Sequence, residues 1–239
     1  MKENFIVIDT ETAGGLEFPL AYDIGFIVID RDGKEFERFS FVVHDIYAEQ
    51  RELMKTAFYA EKLPLYEIGL KNGEYKMVTF FTAKKMVENL MKKYNVKKVF
   101  AYNMGFDRRA LNNTQKFVTN DLYKYFFPFG TEFNCIWHMA CQVLMARPSY
   151  IKWALKNGFV SSKGNILTNA EVCYKYITKD LDFKEKHQGL ADVDIEKQIL
   201  MKCFSQHKKM DTKPYSVCWR LVQKKKAEIE ASAFLPGRD

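Results

Sequence analysis

The segment Phe5-Ile6-Val7-Ile8-Asp9-Thr10-Glu11 constrains the fold more than any other part of the chain. Four consecutive apolar residues, three of them β-branched, describe a strand covered on both faces, as in sheets with helices packed above and below. The run ends on two acids. Residues i and i+2 of a strand point to one face, so Asp9 and Glu11 project together from the end of a buried strand. Carboxylates in that position are either solvated at a strand-to-loop transition or hold a hard divalent cation.

The surrounding pattern fits a mixed α/β sheet. Ile24 to Ile29 reads as a second strand, Asp30-Arg31-Asp32-Gly33 as a turn and Phe36 to Val43 as a third strand, together an antiparallel meander. Thr12-Ala13-Gly14-Gly15 reads as a flexible loop. Residues 46–62 carry Leu53, Ala57 and Ala60, with Leu63 beyond, at helical spacing, and Asn72-Gly73 is a turn signal. Thr82 is placed to cap a helix to about Tyr94, and a strand from Val96 to Tyr102 follows as a crossover onto the same sheet.

Residues 112–165 are rich in Phe, Tyr and Trp and are interrupted by Pro128 and Pro148, with a helix expected at 149–157. Thr168-Asn169-Ala170-Glu171 reads as a capping box opening a helix through Ile177. The stretch from about Gln188 to Phe204 is a strong helix. No linker marks a domain boundary, so one domain is expected over residues 1–205. Residues 206–239 form a basic extension packed on it.

Two further acids stand in comparable places. Asp107, in Asn103-Met104-Gly105-Phe106-Asp107-Arg108-Arg109, follows the end of an apolar strand, where sites in open α/β sheets lie. Arg108 and Arg109 then open the next helix, solvated or against phosphate. In His187-Gln188-Gly189-Leu190-Ala191-Asp192 the two titratable residues are five apart. On a helix that is roughly 500° of rotation, so they do not share a face. His187 therefore belongs before the helix or in its first turn, where an imidazole titrating near neutrality suits a general base.

The ordered set of D-x-E, a strand-end Asp, and His with Asp five later resembles the DEDDh subgroup of DnaQ-like 3′–5′ exonucleases. The matching segments are Ile8-Asp9-Thr10-Glu11-Thr12, Asn103 with Phe106-Asp107, and His187 with Leu190-Ala191-Asp192. The resemblance implies a ribonuclease H-like fold: a mixed sheet, antiparallel meander plus parallel strands, flanked by helices. It maps Asp9, Glu11, Asp107 and Asp192 onto the ligands of two Mg²⁺ or Mn²⁺ ions and His187 onto the general base. It also implies contacts to the terminal nucleotide from Thr10, Thr12, Leu16, Phe18, Asn103 and Phe106. The stretch from Ala170 to His187 is similar to the approach found in bacteriophage-type members.

The implied activity is 3′–5′ hydrolysis of nucleic acid, with single-stranded DNA favoured, to nucleoside 5′-monophosphates. The implied partner is a single-stranded 3′ end, with a polymerase or replication complex as a second candidate. An RNA-directed exoribonuclease and a non-catalytic binding or polymerase accessory module are the alternatives; oligomeric state stays open. A net charge of +7 favours polyanionic partners, and Lys202, Lys208, Lys209, Lys213 and Arg220 are candidates to guide a phosphate backbone. Five cysteines without a C-x-x-C pair point to thiols used as small apolar residues in a reducing compartment. The chain starts directly with a strand and has no apolar run near the ~18 residues of a membrane span, so a cytoplasmic protein is expected.

Overall fold

Strand β1 (Asn4–Ala13) is the hub of the sheet. The computed structural model of the chain describes residues 3–119 and 123–233. On one side β1 pairs antiparallel with β2 (Leu20–Asp30), which pairs antiparallel with β3 (Glu35–Val43). A short strand, β4 (Lys76–Val78), adds in parallel to β3. On the other side of β1, β5 (Lys98–Ala101) and then β6 (Glu132–Cys135) add in parallel. The order is β4-β3-β2-β1-β5-β6, a mixed sheet with the expected meander and three further strands paired in parallel.

Short helices α1 (His44–Tyr47) and α2 (Arg51–Met54) follow β3, then α3 (Leu63–Asn72) and, after β4, α4 (Phe80–Lys93). Helix α5 (Met104–Thr119) links β5 to β6. Beyond β6 come α6 (Ile136–Ala140), α7 (Pro148–Lys156), α8 (Ala170–Thr178), α9 (Gly189–Phe204) and α10 (Trp219–Ala233).

The alternation of side chains along β1 and β2 divides the interior. Ile6, Ile8, Ile24 and Phe26 pack on the face that also buries Val87 and Leu90 of α4 and Leu111 of α5. Phe5, Val7, Ile27 and Ile29 pack on the opposite face with Val193, Ile199, Leu200 and Cys203 of α9. Each such side chain contributes about 1.5–3 kcal/mol by leaving water. Cys218 and Val222 bury the start of α10 in the second face, with Leu221 and Ile229 against it. All five cysteines are free and buried. Among the described residues, no helix is long and apolar enough to cross a membrane.

Several local expectations give way to tertiary contacts. Residues 46–62 are not one helix: Gln50 and Tyr59 adopt non-helical backbone, leaving α1, α2 and a 3₁₀ turn at Ala60–Lys62. Phe58 N–H donates instead to Thr12 O at 3.3 Å. Thr12 and Ala13 are strand rather than loop, and the turn begins at Gly14, where φ is +89°. The cap of α4 is Thr79, whose hydroxyl accepts Thr82 N–H at 3.2 Å, so Thr82 lies inside the helix. The capping box before α8 does not form. Thr168 Oγ1 accepts Trp137 Nε1–H, and Glu171 accepts Glu185 N–H. Gly73 does close α3, in the left-handed conformation with φ +79°.

Candidate active site

Three elements bring the acids together. Asp9 and Glu11 continue the β1 face that carries Phe5 and Val7, the face covered by α9. The apolar core therefore gives way to carboxylates along a single strand face. Asp192 lies in the first turn of α9 and Glu196 one turn later, on the side turned to β1. Asp107 comes from the first turn of α5, where an acid complements the helix dipole. Its Oδ1 accepts Thr10 N–H at 3.1 Å and Thr10 Oγ1–H at 2.9 Å, which ties α5 to β1.

The head of α9 is held by a further acid outside this group. Asp23 of β2 is fully buried and accepts from Tyr66 Oη at 2.6 Å, Ser40 Oγ at 3.0 Å and Gly189 N–H at 3.0 Å. With three donors on it, Asp23 serves as an anchor that fixes where α9, and hence Asp192, begins.

The site acids crowd one another in a poorly solvated space. Burial, with Asp192 and Asp23 nearby, pushes Glu11 up to about 9. Burial raises Asp107 to about 7 against the Thr10 hydrogen bonds, and raises Asp192 to about 7. Asp9 and Glu196 are held well above the ordinary carboxylate range, first by burial and then by like charges. Asp9 Oδ2, Asp192 Oδ1 and Glu196 Oε2 are buried without a partner.

Enclosed carboxylate oxygens without donors, on acids that hold their protons above the ordinary range, are where a hard divalent cation takes the place of protons. The donor set therefore fits Mg²⁺ or Mn²⁺. Among the described residues, Glu11, His187 and Asp192 place ligand atoms within 4.8 Å of one another.

His187 precedes α9 with φ +55°, as its five-residue distance from Asp192 predicts. Its ring stacks on Tyr59 with centroids 3.7 Å apart and planes 9° from parallel. Nδ1 stands 4.0 Å from Asp192 Oδ2. Burial, then Lys62, lowers its pKa, so the imidazole is neutral at pH 7.

These groups line a cavity of about 340 Å³. Thr10, Thr12, Leu16, Asn103 and Phe106 line it too, whereas Phe18 does not. Leu16 and Phe58 are 65% and 67% exposed on its rim. None of Lys202, Lys208, Lys209, Lys213 and Arg220 contributes to its wall.

The architecture has known counterparts. The nuclease domain of 3′hExo, a DEDDh family member bound to rAMP, is similar with a TM-score of 0.55, at 13% identity over 89% of this chain and 96% of that one. The fold is that of the DEDDh exonucleases. E. coli exonuclease I in complex with a dT13 oligonucleotide shares it at a TM-score of 0.55, with 14% identity over 86% of this chain and 42% of that one. A full-length 3′-exonuclease does so at 0.54, with 12% identity over 88% and 85%. No protein-family model and no curated protein sequence matches the chain.

Within this fold, Glu196, Glu185, Tyr59 and Phe58 line the cavity beyond the residues expected from the sequence. Glu196 was within reach of sequence reasoning, since four residues after Asp192 is the same helix face. Glu185, raised to about 8 by burial and by Asp192, stands in an irregular segment that carries no periodicity. Tyr59 reaches His187 from more than a hundred residues away, and no local pattern announces that contact.

Proposed function

We propose that the chain is a metal-dependent 3′–5′ exonuclease that hydrolyses nucleic-acid phosphodiesters, single-stranded DNA in preference, to nucleoside 5′-monophosphates. The supporting observation is the convergence of Asp9, Glu11, Asp107 and Asp192 beside a neutral His187 in one cavity of this fold. Two Mg²⁺ or Mn²⁺ ions held by these carboxylates would offset the phosphate charge and lower the pKa of an attacking water. Thr10 on Asp107 and the anchored head of α9 fix Asp107 and Asp192 relative to β1.

His187 accepts the proton of the attacking water on a ring nitrogen. The Tyr59 stack fixes the plane of the ring, and Asp192 Oδ2 faces the imidazolium that results. Leu16 and Phe58 offer apolar surface to the terminal base, and Asn103 and Phe106 line the same cavity.

An RNA-directed 3′–5′ exoribonuclease is the second reading, because one neighbour was determined with rAMP and another with a DNA oligonucleotide. The deciding experiment degrades 5′-labelled single-stranded DNA and RNA with Mg²⁺ or Mn²⁺, using the wild type and the Asp9→Ala and His187→Ala variants. Stepwise shortening of the labelled strand by the wild type alone supports the activity and reveals the preferred sugar. Binding without cleavage under either metal would leave a non-catalytic binding module.

A further inference from the structure

A second feature of the surface adjoins this site and differs from it in chemistry. Helix α5 carries Asp107 into the acidic cavity, while the next two residues, Arg108 and Arg109, face away from it into a neighbouring cleft of about 470 Å³. Arg109 stands at the junction. Its Nη2–H donates to Leu16 O at 3.2 Å, and its guanidinium lies 5.6 Å from the Phe106 ring; Leu16 and Phe106 both line the acidic cavity.

Arg108, Asn112 and Tyr125 line this cleft and also the next one, of about 390 Å³, which Tyr123, Phe127 and Phe129 complete. The three depressions thus run in sequence from the acids along α5. Among the described residues, no acid lines either of the outer two, whereas Arg108, Arg109 and Lys124 do.

The aromatic end of this path is built rather than loose. Phe126 and Phe127 are buried, Phe126 N–H donates to Asn112 Oδ1 at 3.1 Å, and the largely buried Lys84 donates to Tyr125 O at 2.8 Å. These anchors hold out Tyr123 and Tyr125, 49% and 46% exposed, and Phe129, which is completely exposed at 105%. An aromatic side chain held entirely in water by ordered neighbours is a poor use of apolar area in a free molecule. Every nucleobase has a face to stack on such a ring, and the phosphates between bases require cations at intervals.

We infer that the clefts along α5, from Arg109 through Arg108 and Tyr125 to Phe129, form a binding track for the part of a single nucleic-acid strand that lies upstream of its 3′ end. The inference rests on the exonuclease reading of the acidic cavity and adds to it a dependence on strand length. A dinucleotide occupies the cavity alone. A longer strand reaches the cations and then the rings, so affinity rises with length while the chemistry at the terminal bond is unchanged.

The test measures binding of 5′-fluorescein oligothymidylates, a dinucleotide and a dodecanucleotide, by anisotropy in EDTA, and separately the hydrolysis of the dinucleotide with Mn²⁺. The wild type should bind the longer strand more tightly. Phe129→Ala and Tyr125→Ala should each weaken dodecanucleotide binding by about tenfold, and Arg108→Ala should lower the salt dependence by about one phosphate contact. Dinucleotide hydrolysis and Tm should be unchanged in Phe129→Ala, whose ring touches no core residue.

Equal wild-type affinity for the two lengths, or variants that bind the dodecanucleotide as the wild type does, would overturn the track while leaving the exonuclease reading intact; a protein segment would then be the better occupant. A wild type that neither binds nor cuts either strand, nor the matching oligouridylates, would overturn the exonuclease reading itself, and the track with it.

Discussion

Gly25 of β2 and Gly189 at the head of α9 meet backbone to backbone: a Cβ on Gly25 would stand 2.2 Å from Gly189 C and 2.3 Å from Leu190 N. No side chain larger than hydrogen fits there. The contact, together with the Asp23 hydrogen bond to Gly189 N–H, sets how closely α9 approaches the sheet and so where Asp192 lies relative to Glu11.

Gly25→Ala should therefore displace the head of α9. Overpacking of this severity costs about 3 kcal/mol, a fall of roughly 6–12 °C in Tm for a chain of this size. Activity should fall by about 100-fold, because misplacing a catalytic group by an ångström has that effect. Gly105→Ala is the control: a Cβ there meets open space on a helix, so Tm should hold or rise. Circular-dichroism melts of both variants decide the matter, and an unshifted Gly25→Ala would refute the close approach.

Stability without divalent cations should fall as pH rises from 6.5 to 9. The folded pKa values of Asp107 and Asp192, about 7, and of Glu11, about 9, lie above the ordinary carboxylate range. The unfolded chain is already ionised in this window, so the folded state holds the extra protons and loses stability as they leave. His187, whose folded pKa is lowered, opposes this only up to about pH 7.5, where the unfolded imidazole has lost its proton, and one such group does not offset three raised carboxylates. Melts in EDTA across this range should show Tm declining, and millimolar Mn²⁺ should abolish the decline. A flat profile in EDTA would contradict the crowding of the acids.

Glu196→Gln removes a buried charge whose Oε2 has no partner. In EDTA at pH 8 the variant should melt above the wild type, since an unpaired buried carboxylate is costly. Its Mn²⁺ affinity, read by calorimetry, should drop by about tenfold or more. Unchanged affinity would leave Glu196 outside the ion environment.

His187→Ala should lower kcat by roughly 10²–10⁴-fold, the usual contribution of a general base. The acid limb of the wild-type pH–rate profile should fall below 6.5, because burial and Lys62 disfavour the imidazolium. Tyr59→Ala opens one face of the ring to water, so its acid limb should move back towards the ordinary histidine value. An acid limb that does not move would separate the stack from the tuning.

The parts of this fold that were legible in advance are those where local pattern and tertiary role agree. The run from Phe5 to Ile8 is apolar at every position because both faces are covered, and the acids after it share a face by strand geometry alone. His187 and Asp192 were separable because 100° per residue forbids a common face. Residues 46–62 misled because Leu53, Ala57 and Ala60 keep helical spacing while Phe58 N–H is taken by Thr12 and Tyr59 by His187, contacts that no local propensity encodes. β4 and β6 are three and four residues long and end on edges, with lysine and glutamate at their starts, too little periodicity to register. Glu196 was hidden by the completeness of the four-acid pattern rather than by any weakness of its own signal.

The division of β1, with even positions towards α4 and α5 and odd positions towards α9, restricts how this chain can diverge. Losing or gaining one residue between Phe5 and Ile8 would swing Asp9 and Glu11 to the opposite face of the sheet and drive the apolar set into their place. A change of two residues would preserve the facing and shift only the depth of the acids along the strand. The length of the strand is therefore inherited in steps of two.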